Sequence, residues 1–138
     1  MDLHVRRYMT TSPTTVSPET TVVEAHRIMR RECIRHLPVV DGLHHLVGLV
    51  SLRDLDFAET FRPFDGDVVR VGDAMFAKEL YTVEPGTDML EVARHLLDTK
   101  FGCAVVMEAG RVVGMFTVID ALRALIDTVA ATRRLGPV

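Results

Sequence analysis

The sequence predicts a mixed α/β (α+β) fold made from two copies of one strand-helix-strand-strand-helix unit, and three observations predict it. First, the chain repeats itself: Gly48-Leu49-Val50-Ser51-Leu52-Arg53-Asp54 returns as Gly114-Met115-Phe116-Thr117-Val118-Ile119-Asp120. Val16-Ser17-Pro18 likewise returns as Val83-Glu84-Pro85, and Val5-Arg6-Arg7-Tyr8-Met9 as Val71-Gly72-Asp73-Ala74-Met75. Second, each copy holds two continuous apolar runs joined by a turn, the pattern of strands covered on both faces. Third, each copy has a stretch of helical period that starts on a capping residue with an acid three positions later. Two units are too few for a solenoid, which needs three or more. The pair is therefore expected to close on itself, each half burying the apolar face of the other.

Thr15-Val16 opens the first copy as a short β-prone piece stopped by Pro18. A helix follows, capped by Thr21 with Glu24, and Val22, Ala25 and Met29 share its inner face. Leu37-Pro38-Val39-Val40 turns through Asp41-Gly42 into Leu46-Val47-Gly48-Leu49-Val50, and a helix from about Leu52 to Phe57 closes the copy. The second copy runs in the same order. Tyr81-Thr82-Val83 is stopped by Pro85-Gly86, and a helix starts at Asp88 with Glu91. Met89, Val92, Ala93, Leu96 and Leu97 line its face. Ala104-Val105-Val106-Met107 then turns through Ala109-Gly110 into Val112-Val113-Gly114-Met115-Phe116, before a last helix from about Val118 to Ile126. The offset between copies is 67 residues from Pro18 to Pro85 but 66 from Asp54 to Asp120, so one residue has left the second hairpin turn. Turns accept such a deletion and strands do not. Phe61-Arg62-Pro63-Phe64-Asp65-Gly66-Asp67 reads as a packed loop, which divides the chain into residues 1–66 and 67–138. The tail after Ala131 is expected to fray.

Hydrophobic content of 48% against 25% charged is a globular balance. A net charge of −3 gives no support to binding of nucleic acid or of an anionic membrane. No apolar run reaches transmembrane length, and Met1-Asp2-Leu3-His4-Val5-Arg6-Arg7 has no signal-peptide core, so a cytoplasmic location is expected. Cys33 and Cys103 lack C-x-x-C spacing and read as reduced thiols in or near the core. The histidines show neither helical i, i+4 spacing nor a zinc-finger partner, so no metal site is expected. Met29, Met75, Met89, Met107 and Met115 read as core filling. There is no G-x-S-x-G, no P-loop and no G-x-G-x-x-G, and neither cysteine has a base at readable spacing; catalysis is not expected.

What remains for function is the pair of strand-to-helix corners. Ser51 and Thr117 stand where an N-cap belongs, with Asp54 and Asp120 in the first turn. Helix N-termini offer amide donors and the positive end of the dipole to an anion. A carboxylate can accept two hydrogen bonds from a vicinal diol, while a hydroxyl suits a phosphate. The same S/T-x-x-D pattern also serves as a plain capping box, and one copy alone would favour that reading.

With these motifs in order, Tyr8-Met9-Thr10, Thr15-Val16-Ser17-Pro18, Glu24-Ala25 with Met29, His36-Leu37-Pro38-Val39-Val40-Asp41 and the repeated corner, the chain resembles a tandem pair of cystathionine-β-synthase (CBS) domains, a Bateman module, from about Tyr8 to Leu125. The resemblance implies two β-α-β-β-α repeats packed about a pseudo-two-fold axis, with two clefts between them. It implies regulatory binding of AMP, ADP, ATP or S-adenosylmethionine there, with no cofactor required, and pairing of modules into a homodimer that serves an effector protein. By the same resemblance, Asp54 and Asp120 take ribose hydroxyls, and Ser51 and Thr117 lie by the phosphates. Arg35 and His36, with Pro38 beside them, occupy phosphate-contact positions, and Thr15-Val16 and Tyr81-Thr82-Val83 match the strand whose backbone edges the adenine. The second copy has Gly102-Cys103 where the first has Arg35-His36, so unequal sites are expected. The competing reading is a dimerisation or interaction module whose clefts are vestigial and whose S/T-x-x-D pairs only cap helices.

Overall fold

In the computed structural model, which describes residues 2–60 and 68–134, the chain divides into two compact units. One comprises Pro13–Leu80 with Gly110–Val112; the other comprises Met1–Ser12, Tyr81–Ala109 and Val113–Val138. The units therefore do not cut the chain where its sequence repeats meet. The segment ahead of the first repeat, with Thr10-Thr11, joins the sheet of the second-repeat unit, and the segment ahead of the second repeat, with Phe76, joins that of the first-repeat unit.

The first-repeat unit is built from α1 (Val22–Glu32), β2 (His36–Val40), β3 (Leu46–Ser51), α2 (Leu52–Thr60) and a short α3 (Val71–Ala74). β2 and β3 form an antiparallel hairpin with a bulge between Val39 and Val40. Single bridges extend it on both sides, Val16 pairing parallel to Val39 and Phe76 antiparallel to Leu49. The second-repeat unit shows the same plan with fuller ladders: β1 (Thr10–Thr11), β6 (Arg111–Thr117), β5 (Cys103–Glu108) and β4 (Thr82–Val83) lie side by side in that order. α4 (Met89–Thr99) and α5 (Val118–Arg134) complete it. Thr10 opposite Met115 repeats Phe76 opposite Leu49, and Val83 opposite Val106 repeats Val16 opposite Val39. The repeat seen in the sequence is thus a repeat of backbone pairing.

Close approach explains the glycine of each corner. A Cβ on Gly48 would lie 2.5 Å from the Met75 sulfur, and one on Gly114 would lie 2.7 Å from the Met9 sulfur and 3.0 Å from the Thr10 carbonyl oxygen. The leading segment can cross β3 or β6 only where no side chain stands. Val71 and Val5, both fully buried, then plug the first- and second-repeat cores respectively. Burial of each such side chain contributes about 1.5–3 kcal/mol.

The helices start as their caps dictate. The Thr21 hydroxyl accepts from the Glu24 amide at 3.1 Å, and the Asp88 carboxylate accepts from the Leu90 amide at 2.8 Å. Both helices end on a left-handed residue, Cys33 (φ 56°) and Lys100 (φ 59°), without a glycine. Four expectations need correction. Leu97 is exposed, off the inner face of α4 that Met89, Val92 and Leu96 bury. α2 runs to Thr60 and α5 to Arg134, beyond Phe57 and Ile126, because no Gly or Pro interrupts either and Arg133-Arg134 suit the negative helix end. The fraying expected after Ala131 is thus absent through Arg134. Cys33 is exposed, its cap position carrying it out of the core, whereas Cys103 is buried. The loop predicted at 61–67 and the last four residues of the tail lie outside the described residues. Among the described residues no helix is long and apolar enough to cross a membrane.

Candidate functional site

In the first-repeat unit β3 runs directly into α2. The Ser51 amide donates to Asp54 Oδ2 at 2.9 Å, and the Asp54 amide donates to Ser51 Oγ at 3.1 Å, a reciprocal capping box. The Leu52 amide donates to the Arg35 carbonyl at 2.9 Å. Two of the first three amides of α2 are therefore already taken. The anion-binding potential expected of this helix end is correspondingly narrowed, because the fold uses those donors first.

Side chains supply the rest. Asp54 Oδ1 receives no hydrogen bond from the described residues, and Asp54 is only half-buried. Its free lone pairs are available to hydroxyl donors, while the Ser51 hydroxyl keeps its proton to donate. His36, half-buried, faces Ser51 across the hairpin. Burial pulls its imidazole below the ordinary value of 6.5; the charge of Asp54 opposes this and that of Arg35 adds to it. Arg35 is exposed and has no ion-pair partner among the described residues. Pro38 is buried, and its carbonyl accepts from the Val16 amide at 3.1 Å. Arg35, His36, Ser51 and Asp54 thus meet at one corner, whereas Pro38 is part of the sheet behind it.

The second corner is closed tighter. The Thr117 amide donates to Asp120 Oδ2 at 2.9 Å, the Thr117 hydroxyl reaches the same oxygen at 3.4 Å, and Arg123 Nη1 donates to Oδ1 at 3.2 Å. Asp120 is 2% exposed, and burial raises its pKa against the pull of the Thr117 amide and of Arg123. Both carboxylate oxygens are held by the protein. Opposite lies Cys103, whose thiol is pushed up to about 12 by burial and stays neutral. The corners therefore differ twice: the second lacks an arginine at the Gly102 position, and its carboxylate is already spent.

The strand edges sort themselves by ladder parity. Val16 donates to the Pro38 carbonyl and accepts from the Val40 amide, so both its backbone groups belong to β2. Tyr81 accepts from the Val105 amide, and Val83 follows it two residues later on the same side. The Tyr81 ring stacks on His95 with centroids 3.6 Å apart. The groups that face the open edge are those of Thr15 and of its counterpart Thr82, and both residues are exposed. Within the expected strand Tyr81-Thr82-Val83, the alternation that turns Val83 inward turns Thr82 out. Among the described residues no group of three or more His, Cys, Asp or Glu side chains is placed to hold a metal ion.

Comparison with known proteins gives these corners a family context. A model of the CBS domain matches residues 5–59 and again residues 71–127. The chain is 39% identical over 107 residues to an inosine-5'-monophosphate dehydrogenase of Korarchaeum cryptofilum, covering 77% of this chain and 21% of that protein. It is 40% identical over 111 residues to the magnesium transporter MgtE of Thermus thermophilus, covering 76% of this chain and 23% of the transporter. The chain thus spans less than a quarter of the length of these curated relatives. Among solved structures, the AcuB protein of Vibrio cholerae superposes with a TM-score of 0.85 at 27% identity, covering 99% of this chain and all of that one. CBSX2 in complex with AMP, a protein of Arabidopsis thaliana, gives 0.78 at 29% identity, covering 90% of this chain and 97% of that one.

Proposed function

Because the chain belongs to the CBS domain family, as a tandem pair of such domains, we propose that it is a regulatory module that takes an adenine nucleotide at its strand-to-helix corners. The observation that carries this reading is the first-repeat corner. There, at the start of β2 and the end of β3, Arg35, which has no ion-pair partner among the described residues, comes together with the Ser51 hydroxyl and an Asp54 oxygen that receives no hydrogen bond from the described residues. The complex of CBSX2 with AMP supports AMP as the first ligand to try.

In this reading Asp54 Oδ1 accepts from the ribose diol, and Arg35 with the Ser51 hydroxyl meets the phosphate. His36 stands by as a neutral imidazole that gains a proton when a phosphate dianion approaches. Thr15 offers its open backbone edge to the adenine. The second corner, at Thr117 and Asp120, is the weaker site because its carboxylate must first leave Arg123. The module transmits occupancy rather than transforming the nucleotide, and it works as a homodimer acting on an effector protein. A ligand shifts such an equilibrium only by its differential affinity for two states.

The reciprocal capping bonds favour the second reading, an interaction module whose Ser/Asp and Thr/Asp pairs only cap helices. Calorimetric titration with AMP, ATP and S-adenosylmethionine separates the two. Saturable binding of AMP or ATP that weakens in Arg35→Ala supports the sensor. No heat from any of the three leaves only the interaction module.

A further inference from the structure

The six histidines of the chain are sorted by their surroundings. His4, His44 and His45 are exposed. Of the three that are half-buried, His26 has both ring nitrogens held, Nε2 2.9 Å from Asp56 and Nδ1 2.9 Å from Glu59. His95 is stacked on Tyr81 and on Phe101, with ring centroids 3.6 Å and 6.5 Å away. His36 differs from both. Among the described residues neither of its nitrogens takes part in a hydrogen bond and no ring stacks on it, although half of its contact with water is gone.

The position of His36 gives that spare capacity a use. β2 opens on His36 directly opposite Ser51, the residue at which β3 gives way to α2. The charged groups that bear on its ring are the Asp54 carboxylate of α2 and the Arg35 guanidinium just ahead of its own strand. Burial holds the imidazole below its ordinary 6.5, opposed by Asp54 and aided by Arg35, so the free corner carries a neutral ring at neutral pH. A phosphate dianion brought here adds two negative charges to that of Asp54, against the single fixed cation of Arg35. An anion nearby in a partly dry site favours the charged imidazole, and a proton on His36 is the readiest second cation. The second corner has no such group. Gly102 replaces Arg35, and Cys103 replaces His36 with a thiol that burial pushes up to about 12, already protonated and with no place for another proton.

We propose that nucleotide binding at the first corner is coupled to proton uptake by His36, so that the module holds a phosphate-bearing nucleotide more tightly as pH falls. The proposal rests on the nucleotide reading above and adds a second input to the same site. Linkage fixes the sign: the complex holds more protons than its separate parts, so affinity rises on acidification, by at most about tenfold per pH unit for one proton. The useful window runs from about pH 8 to about pH 6.5, because the phosphate itself, with a second pKa of about 6, loses charge below it.

Calorimetric titration of the full chain with AMP in two buffers of unlike ionisation heat counts the protons. At about pH 7 the wild type should take up about half a proton or more per AMP, and its dissociation constant should tighten about three- to tenfold across the window. His36→Gln keeps a polar side chain that cannot be charged, and should bind AMP without proton uptake and with a flat pH response. The ring-carbon shifts of His36 in the wild type should report a neutral imidazole in the free protein and an imidazolium in the complex; with the wild-type proton count, they decide the matter should the variant fail to fold or to bind. AMP binding without proton uptake, or uptake that persists in folded His36→Gln, overturns the coupling and leaves the nucleotide reading intact. A chain that takes neither AMP nor ATP anywhere in the window overturns both.

Discussion

Replacing Asp54 by Asn tests both roles of that carboxylate in one residue. The carboxylate now does two things: Oδ2 holds the Ser51 amide at 2.9 Å, and Oδ1 receives no hydrogen bond from the described residues. Asparagine keeps one acceptor oxygen for the Ser51 amide but replaces the other oxygen by an amide that can only donate. The cap survives, and the fold loses only the attraction of a charge for the helix N-terminus, about 0.3–1 kcal/mol. The diol loses a hydrogen bond to a charged acceptor, about 1.5–3 kcal/mol, which converts to a roughly ten- to hundredfold weaker dissociation constant. Asp54→Ala loses the cap as well and should cost about 1 kcal/mol of stability. Calorimetry with AMP and urea unfolding measure the two effects separately. If Asp54→Asn binds AMP as tightly as the wild type, the open oxygen is not a ribose acceptor and the reasoning fails.

Asp120→Asn should behave differently. Because burial raises the Asp120 pKa from 3.8, the ionised form costs the fold at neutral pH, and its folded form protonates before the unfolded chain does. Wild-type stability should therefore gain on that of Asp120→Asn as pH falls through the raised value toward 3.8, in urea unfolding across that window; a gap independent of pH would contradict this. Gly114→Ala should cost about 1–3 kcal/mol through its clash with Met9 and the Thr10 carbonyl, in the same assay. A thiol reagent should count one cysteine in the native protein, Cys33, and the second only after unfolding, since Cys103 is buried and neutral. Two fast thiols would mean the β5 core is open.

Much of this was legible in the sequence because it is encoded locally. The hairpins, the helix starts at Thr21 and Asp88 and the boxes at Ser51/Asp54 and Thr117/Asp120 all depend on residues a few positions apart. The membership of the units was not legible. Val5, Thr10-Thr11 and Phe76 join their sheets or cores by contacts one or two residues wide, too short to leave a periodic trace. Helix ends at Thr60 and Arg134 ran past their expected limits for want of a Gly or Pro to mark them. The two boxes look alike in sequence, yet among the described residues one leaves an oxygen without a donor and the other does not. That difference comes from Arg123, a turn later, and from the depth of burial, neither of which the motif encodes. Cys33 was read as near-core because its apolar character suggests burial, whereas the left-handed cap turned it outward.

The most direct test of the central claim is an amide-resolved NMR titration of the chain with AMP. The account predicts saturable shifts largest at Ser51, Leu52, Arg53 and Asp54, with Thr15 and His36 moving alongside and Thr117 to Asp120 moving less. Unchanged spectra at saturating AMP, or shifts confined to the outer faces of α1 and α5, would contradict it.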